Sequence, residues 1–152
     1  ELNQMCKRTD ESGSGSNWKC CPRDWLMFGG SCYFFSSDAM NWMASEDNCS
    51  SLGAHLIVIT SREEQEELIQ QHVRVPYWIG LTDQGSEGSW RWVDGTPYNH
   101  PISFWIESNP NNRAGNENCG TVGGWSGYRA LRWNDHNCES SLNRICEKTA
   151  ST

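Results

Sequence analysis

Apolar residues recur along the chain in short bursts, separated by polar and glycine-rich stretches, a texture of brief strands and loops around two helical segments. Trp25-Leu26-Met27-Phe28 and Cys32-Tyr33-Phe34-Phe35 flank Gly29-Gly30, which predicts a hairpin with a glycine turn. Asn41 to Leu52 carries Trp42, Cys49 and Leu52 at spacings of seven and three, the buried face of a helix that Gly53 would end. His55-Leu56-Ile57-Val58-Ile59 is a short apolar strand. Ser61-Arg62-Glu63-Glu64 has the capping-box form, so a second helix is expected from there to about Val73. Its Glu63, Glu64, Glu66 and Glu67 suit the positive end of the helix dipole and read as a solvated face.

Beyond Pro76 the pattern changes. Tyr77 to Leu81 and Ser89 to Val93 predict strands, and Asp94-Gly95 predicts a turn. Residues 95–118 form a polar stretch without periodicity, and a loop of that length inside a compact domain is usually functional or disordered. Strands near Cys119–Val122, Leu131–Trp133 and Asn143–Glu147 would complete a small sheet. Residues 1–19, with Gly13-Ser14-Gly15-Ser16 at their centre, read as a flexible linker or the remnant of a neck, leaving 20–152 as the folded domain.

Composition narrows the class. A chain of 152 residues suits one domain with one sizeable core. A net charge of −7 and a pI near 5.0 argue against a nucleic-acid partner. No apolar run approaches the roughly eighteen residues of a membrane span, and no signal-peptide pattern opens the chain. The expectation is a secreted protein or the extracellular part of a longer receptor, joined to a membrane only through a segment absent from this chain. Eight cysteines without zinc-type spacing argue for disulfides and an oxidising compartment. Of the nine tryptophans, Trp25, Trp42, Trp78, Trp92, Trp105 and Trp133 are assigned to the core, while Trp18 and Trp125 lie in polar, glycine-rich surroundings that suit surface contacts.

The chemistry concentrates between Trp105 and Cys146. Asn109-Pro110-Asn111-Asn112, then Glu117-Asn118-Cys119, then Trp133-Asn134-Asp135 gather amide and carboxylate oxygens, the donors that a hard cation such as Ca²⁺ requires. Zinc spacing is missing from this set. His55, His72, His100 and His136 are scattered, and no serine or cysteine occupies a nucleophile motif, so catalysis is not expected.

The order Asn-Pro-Asn, Glu and Trp-Asn-Asp resembles the calcium and sugar site of a C-type lectin domain. The likeness continues in Trp78-Ile79-Gly80-Leu81 and Trp90-Arg91-Trp92-Val93-Asp94-Gly95, covers residues 21 to 148, and is similar to the type II hepatic and myeloid receptors. It implies an α+β fold: two helices, small antiparallel sheets, a long calcium-binding loop and disulfide staples at Cys21–Cys32, Cys49–Cys146 and Cys119–Cys138. Cys6 and Cys20 stay open between pairing with each other, interchain linkage and free thiols. The principal calcium and carbohydrate site implied is Asn109, Asn111, Glu117, Asn134 and Asp135. A second calcium site would use Asp83, Glu87, Asn112 and Asn118.

The implied function is Ca²⁺-dependent recognition of mannose-, fucose- or glucose-type glycans on glycoproteins, glycolipids or microbial surfaces, with room for homo-oligomers. The alternative is a lectin-like domain that binds a protein or lipid. Asn109 stands where the family has Glu or Gln, so a sugar hydroxyl there faces two amide donors instead of an acceptor and a donor. Glu107 is a substitute carboxylate nearby, and Trp125 or Tyr128 could stack on a sugar ring. Asn48-Cys49-Ser50 is a formal glycosylation sequon inside the first predicted helix, its use left open.

Overall fold

The computed structural model describes residues 4–8, 18–69, 72–73, 75–85, 88–98, 104, 117–123 and 132–151. Strand β1 (Gln4–Arg8) pairs antiparallel with β2 (Trp18–Pro22) as a separate two-stranded sheet. Part of the segment read as a linker is therefore ordered strand. Its register sets Cys6 opposite Cys20, within disulfide reach, and the two are bonded. That resolves the alternatives left open for this pair. The three implied disulfides, Cys21–Cys32, Cys49–Cys146 and Cys119–Cys138, are all formed.

The hairpin of β3 (Leu26–Phe28) and β4 (Ser31–Phe35) turns on Gly29 and Gly30, at φ 57° and 83°, left-handed values that glycine adopts without a Cβ clash. Helix α1 (Trp42–Ser51) starts where Asn41 Oδ1 accepts from the Ala44 N–H at 2.8 Å. Its buried face is Trp42, Ser45 and Cys49; Leu52, expected inside, is 42% exposed at the C-cap, where the helical spacing no longer applies. After β5 (His55–Leu56) comes the second helix expected: Arg62 and Glu63 are helical, and Glu64–Ile69 (α2) is wound as a π-helix, with Gln65, Leu68 and Ile69 buried. Glu63, Glu66 and Glu67 are exposed as predicted, but Glu64 is not part of a solvated face. It is half-buried, and its carboxylate accepts from Tyr33 Oη at 3.0 Å and from the Thr60 N–H at 2.9 Å.

The remaining strands are β6 (Tyr77–Thr82), β7 (Arg91–Trp92), β8 (Glu117–Val122), β9 (Trp133–Asn137) and β10 (Asn143–Thr149). They join the main sheet in the order β3-β4-β10-β6-β8-β9, with β5 on β10 and β7 on β6. The β10–β6 ladder is parallel, so this sheet is mixed and not purely antiparallel. The close approach of β5 to β6 depends on Gly80: a Cβ there would lie 2.7 Å from the Leu56 carbonyl.

Tryptophan fills the core as expected at positions 25, 42, 78, 92 and 133, with Trp90 also buried and Trp18 49% exposed. Buried indole N–H groups need acceptors. Trp42 Nε1 donates to the Ile79 carbonyl at 3.0 Å and Trp78 Nε1 to the Met40 carbonyl at 2.9 Å. Trp133 Nε1 donates to Gln65 Oε1 at 2.9 Å. Trp105 and Trp125 lie outside the described residues.

Candidate calcium and ligand site

Strand β8 joins the two candidate clusters. On one side the Asp83 N–H donates to the Asn118 carbonyl at 3.0 Å, and Thr82 Oγ1 donates to the same carbonyl at 2.8 Å. Asp83 and Asn118, both assigned to the second site, are thereby neighbours. Asp83 is 1% exposed, and its Oδ2 accepts from the Gly88 N–H at 2.8 Å, closing the turn between β6 and β7. One of its oxygens therefore serves the turn. Glu87 and Asn112 lie outside the described residues.

On the other side β8 pairs with β9, setting Thr121 opposite Asn134 and Gly120 opposite Asp135. Asn134 and Asp135 were expected just beyond a strand ending at Trp133. They lie inside β9, because the Trp133–Asn137 backbone continues the ladder with β8. Strand alternation then sends Trp133 and Asp135 to one face and Asn134 to the other. Burial agrees: Trp133 is 0% and Asp135 1% exposed, while Asn134 is half-buried. Glu117 begins β8 opposite Asn137. Asn109, Asn111 and Glu107 are outside the described residues, as are the ring-stacking candidates Trp125 and Tyr128.

These donors suit a hard cation in kind. All are oxygens, and Asp135 brings a buried carboxylate whose Oδ1 accepts no hydrogen bond, although the residue is engaged elsewhere. Two buried aspartates, Asp83 and Asp135, flank one strand. Among the described residues no three His, Cys, Asp or Glu side chains gather as a metal cage. A cation held here would therefore draw on amide oxygens and on the neighbouring loop.

Other polar candidates are occupied by the fold. His55 Nδ1 lies 2.7 Å from the Leu56 carbonyl, His72 Nδ1 lies 2.8 Å from the Leu68 carbonyl, and His136 packs edge-on against Trp78. The Asn48 sequon sits within α1: Asn48 Oδ1 accepts from Arg144 Nε at 2.9 Å, and Cys49 is disulfide-bonded. Sequence reasoning overlooked Gln65. The clue was available, since Gln65 falls on the same helical stripe as Leu68 and Ile69 and is the one amide in it.

Comparison with known proteins places this geometry. A family model described as "Lectin C-type domain" matches residues 38–148. The human protein "C-type lectin domain family 4 member E" is 49% identical over 136 residues, covering 89% of this chain and 62% of its own length. The chain thus spans less than two thirds of that relative. Among solved structures, the C-type lectin domain of murine dendritic cell inhibitory receptor 2, in complex with N-glycan, superposes with a TM-score of 0.76 at 37% identity, over 85% of this chain and 98% of that one. A calcium-independent type II antifreeze protein superposes at 0.75 and 33% identity, over 86% and 95%.

Proposed function

The chain belongs to the C-type lectin family, and on that premise we propose that it is the calcium-dependent glycan-recognition domain of a cell-surface receptor, facing the extracellular space. The observation that carries this reading is the oxygen-donor set around β8: Asp83 with Asn118 on one side, Asn134 with buried Asp135 on the other. Asn109, Asn111, Glu117, Asn134 and Asp135 are the proposed principal ligands. Asp83, Glu87, Asn112 and Asn118 are proposed for the second ion. Calcium supplies charge and open coordination positions when bound. The chain's own part is to present carboxylates as acceptors and amide NH₂ groups as donors, a pattern that selects the stereochemistry of a neighbouring hydroxyl pair. Asn111 favours mannose, fucose or glucose. The glycan complex of the murine relative is in keeping with a sugar ligand.

A second reading, a protein- or lipid-binding domain without calcium, draws support from Asn109 and from the likeness to a calcium-independent relative. A glycan array probed with and without Ca²⁺ separates the two. Retention of mannose- or fucose-terminated glycans that a chelator abolishes supports the first reading. Binding that survives excess chelator contradicts it.

A further inference from the structure

Trp133 is held from three directions. Its Nε1–H donates to Gln65 Oε1 at 2.9 Å. Its ring meets Trp92 and Phe104 edge-on, at centroid distances of 5.4 and 5.5 Å. Its backbone N–H donates to the Phe104 carbonyl at 2.7 Å. Of these contacts the indole hydrogen bond is strongly directional, whereas edge-to-face rings tolerate sliding over a broad range. Gln65 is itself 5% exposed and sits on α2, beside Glu64, whose hydrogen bonds to Tyr33 and Thr60 fix that helix against the opposite end of the sheet. Wide π-helical turns of this kind are often found at functional positions.

Trp133 and Asp135 occupy the same face of β9, two residues apart. Resting on the proposed calcium site, we propose that Gln65 is a positioning residue: through Trp133 it sets the height and rotation of β9, and so the placement of the Asp135 carboxylate. A cation takes its oxygen ligands at about 2.3–2.6 Å, so a displacement of a few tenths of an ångström in one carboxylate is felt in affinity. Without the Gln65 acceptor, the indole N–H is left in an apolar pocket. The ring then shifts toward another acceptor and takes with it the backbone next to Asn134 and Asp135.

The experiment is a calorimetric Ca²⁺ titration of the wild-type domain and Gln65→Leu, with NMR of the indole N–H signals. Calcium should move the Trp133 indole signal in the wild type and leave that of Trp42, bonded to Ile79, in place. Gln65→Leu, with all four disulfides and a cooperative thermal transition, should bind Ca²⁺ about ten-fold more weakly, the low end for groups that orient metal ligands. Gln65→Glu keeps an acceptor oxygen and should bind at least to within about three-fold of wild type. Tyr33→Phe, which loosens the other anchor of α2, should lower the melting temperature without changing Ca²⁺ affinity. Wild-type affinity in Gln65→Leu, or an equal loss in Tyr33→Phe, overturns the proposal. Should Gln65→Leu fail to fold, a Trp133 signal unmoved by calcium in the wild type overturns it. A wild type that binds no Ca²⁺ at all overturns the calcium reading itself, an outcome distinct from either.

Discussion

Carboxylates at the two ends of the main sheet are used differently. Near β5, three glutamates from three elements each accept a backbone N–H of one extended segment: Glu46 from Leu56, Glu147 from Val58 and Glu64 from Thr60, all at 2.9 Å. Alternate N–H groups along that edge are thus satisfied by side chains instead of by another strand. At the β8–β9 end, Asp83 spends one oxygen on the Gly88 N–H, and Asp135 is buried with an Oδ1 that takes no hydrogen bond. The first group serves the fold. The second places buried carboxylates on either side of β8, where the calcium ligands are proposed. Burial of a carboxylate alone does not distinguish structure from function, but the destination of its oxygens does.

The largest effect separating the two ends should come from the disulfides. Cys49–Cys146 closes 97 residues and Cys119–Cys138 closes 19. In the chain-entropy account these contribute about 4.7 and about 3.2 kcal/mol. Replacing Cys49 and Cys146 with serine should therefore cost more stability in a denaturant titration. Replacing Cys119 and Cys138 should cost less stability but weaken Ca²⁺ binding, since that bond ties β8 to the end of β9.

Next is Asp135→Ala, which should weaken Ca²⁺ by roughly a hundred-fold by calorimetry, the upper range for changes at a metal site. Glu46→Ala, at the other end, should leave that affinity unaltered.

Acid should act oppositely on the two ends. Burial, opposed by the Val58 N–H and reinforced by the Glu64 charge, raises the Glu147 carboxyl to about 7. A single Tyr33 hydroxyl proton lies between Glu64 and Glu147, at 3.0 and 3.2 Å, so protonating one carboxyl supplies a missing donor. Because the folded-state value exceeds the unfolded one, near 4.5, this stability is fully present below about pH 4.5 and is lost as pH rises through about 7. The size is roughly 3 kcal/mol across that window. With calcium chelated, the melting temperature should fall from pH 6 to pH 8, and Glu147→Gln should flatten the profile. Ligand binding should instead fall in acid, because protons compete with a cation for carboxylate oxygens.

The smallest effect is the most specific. If the site is a mannose-type one weakened by an amide, Asn109→Glu restores a charge and an acceptor, and mannose affinity should rise about ten-fold. A loss for mannose would show instead that Asn109 is tuned to another ligand.

Much of the scaffold was legible in the sequence, because local rules set it. Gly29-Gly30 specified a turn, Asn41 and Gly53 bounded a helix, and the tryptophans announced a core. The features that escaped are non-local. Nothing within Trp133-Asn134-Asp135 says that the backbone continues in register with β8, so the expected strand stops at Trp133, four residues short of Asn137. Glu64 looked solvated because the hydroxyl that draws it inward, on Tyr33, is 31 residues away in sequence. The parallel β6–β10 ladder has no local signature. The candidate ligands were readable as a set of oxygens, yet their support through Gln65 required the packing of α2 on β9.

The most direct measurement is Ca²⁺ titration of the folded domain followed by mannose titration at saturating Ca²⁺, repeated in excess chelator. The account predicts a calorimetric calcium transition, sugar binding only in its presence, and loss of both in Asp135→Ala. Sugar or other ligand binding of equal strength in chelator, with Asp135→Ala indistinguishable from wild type, would contradict it.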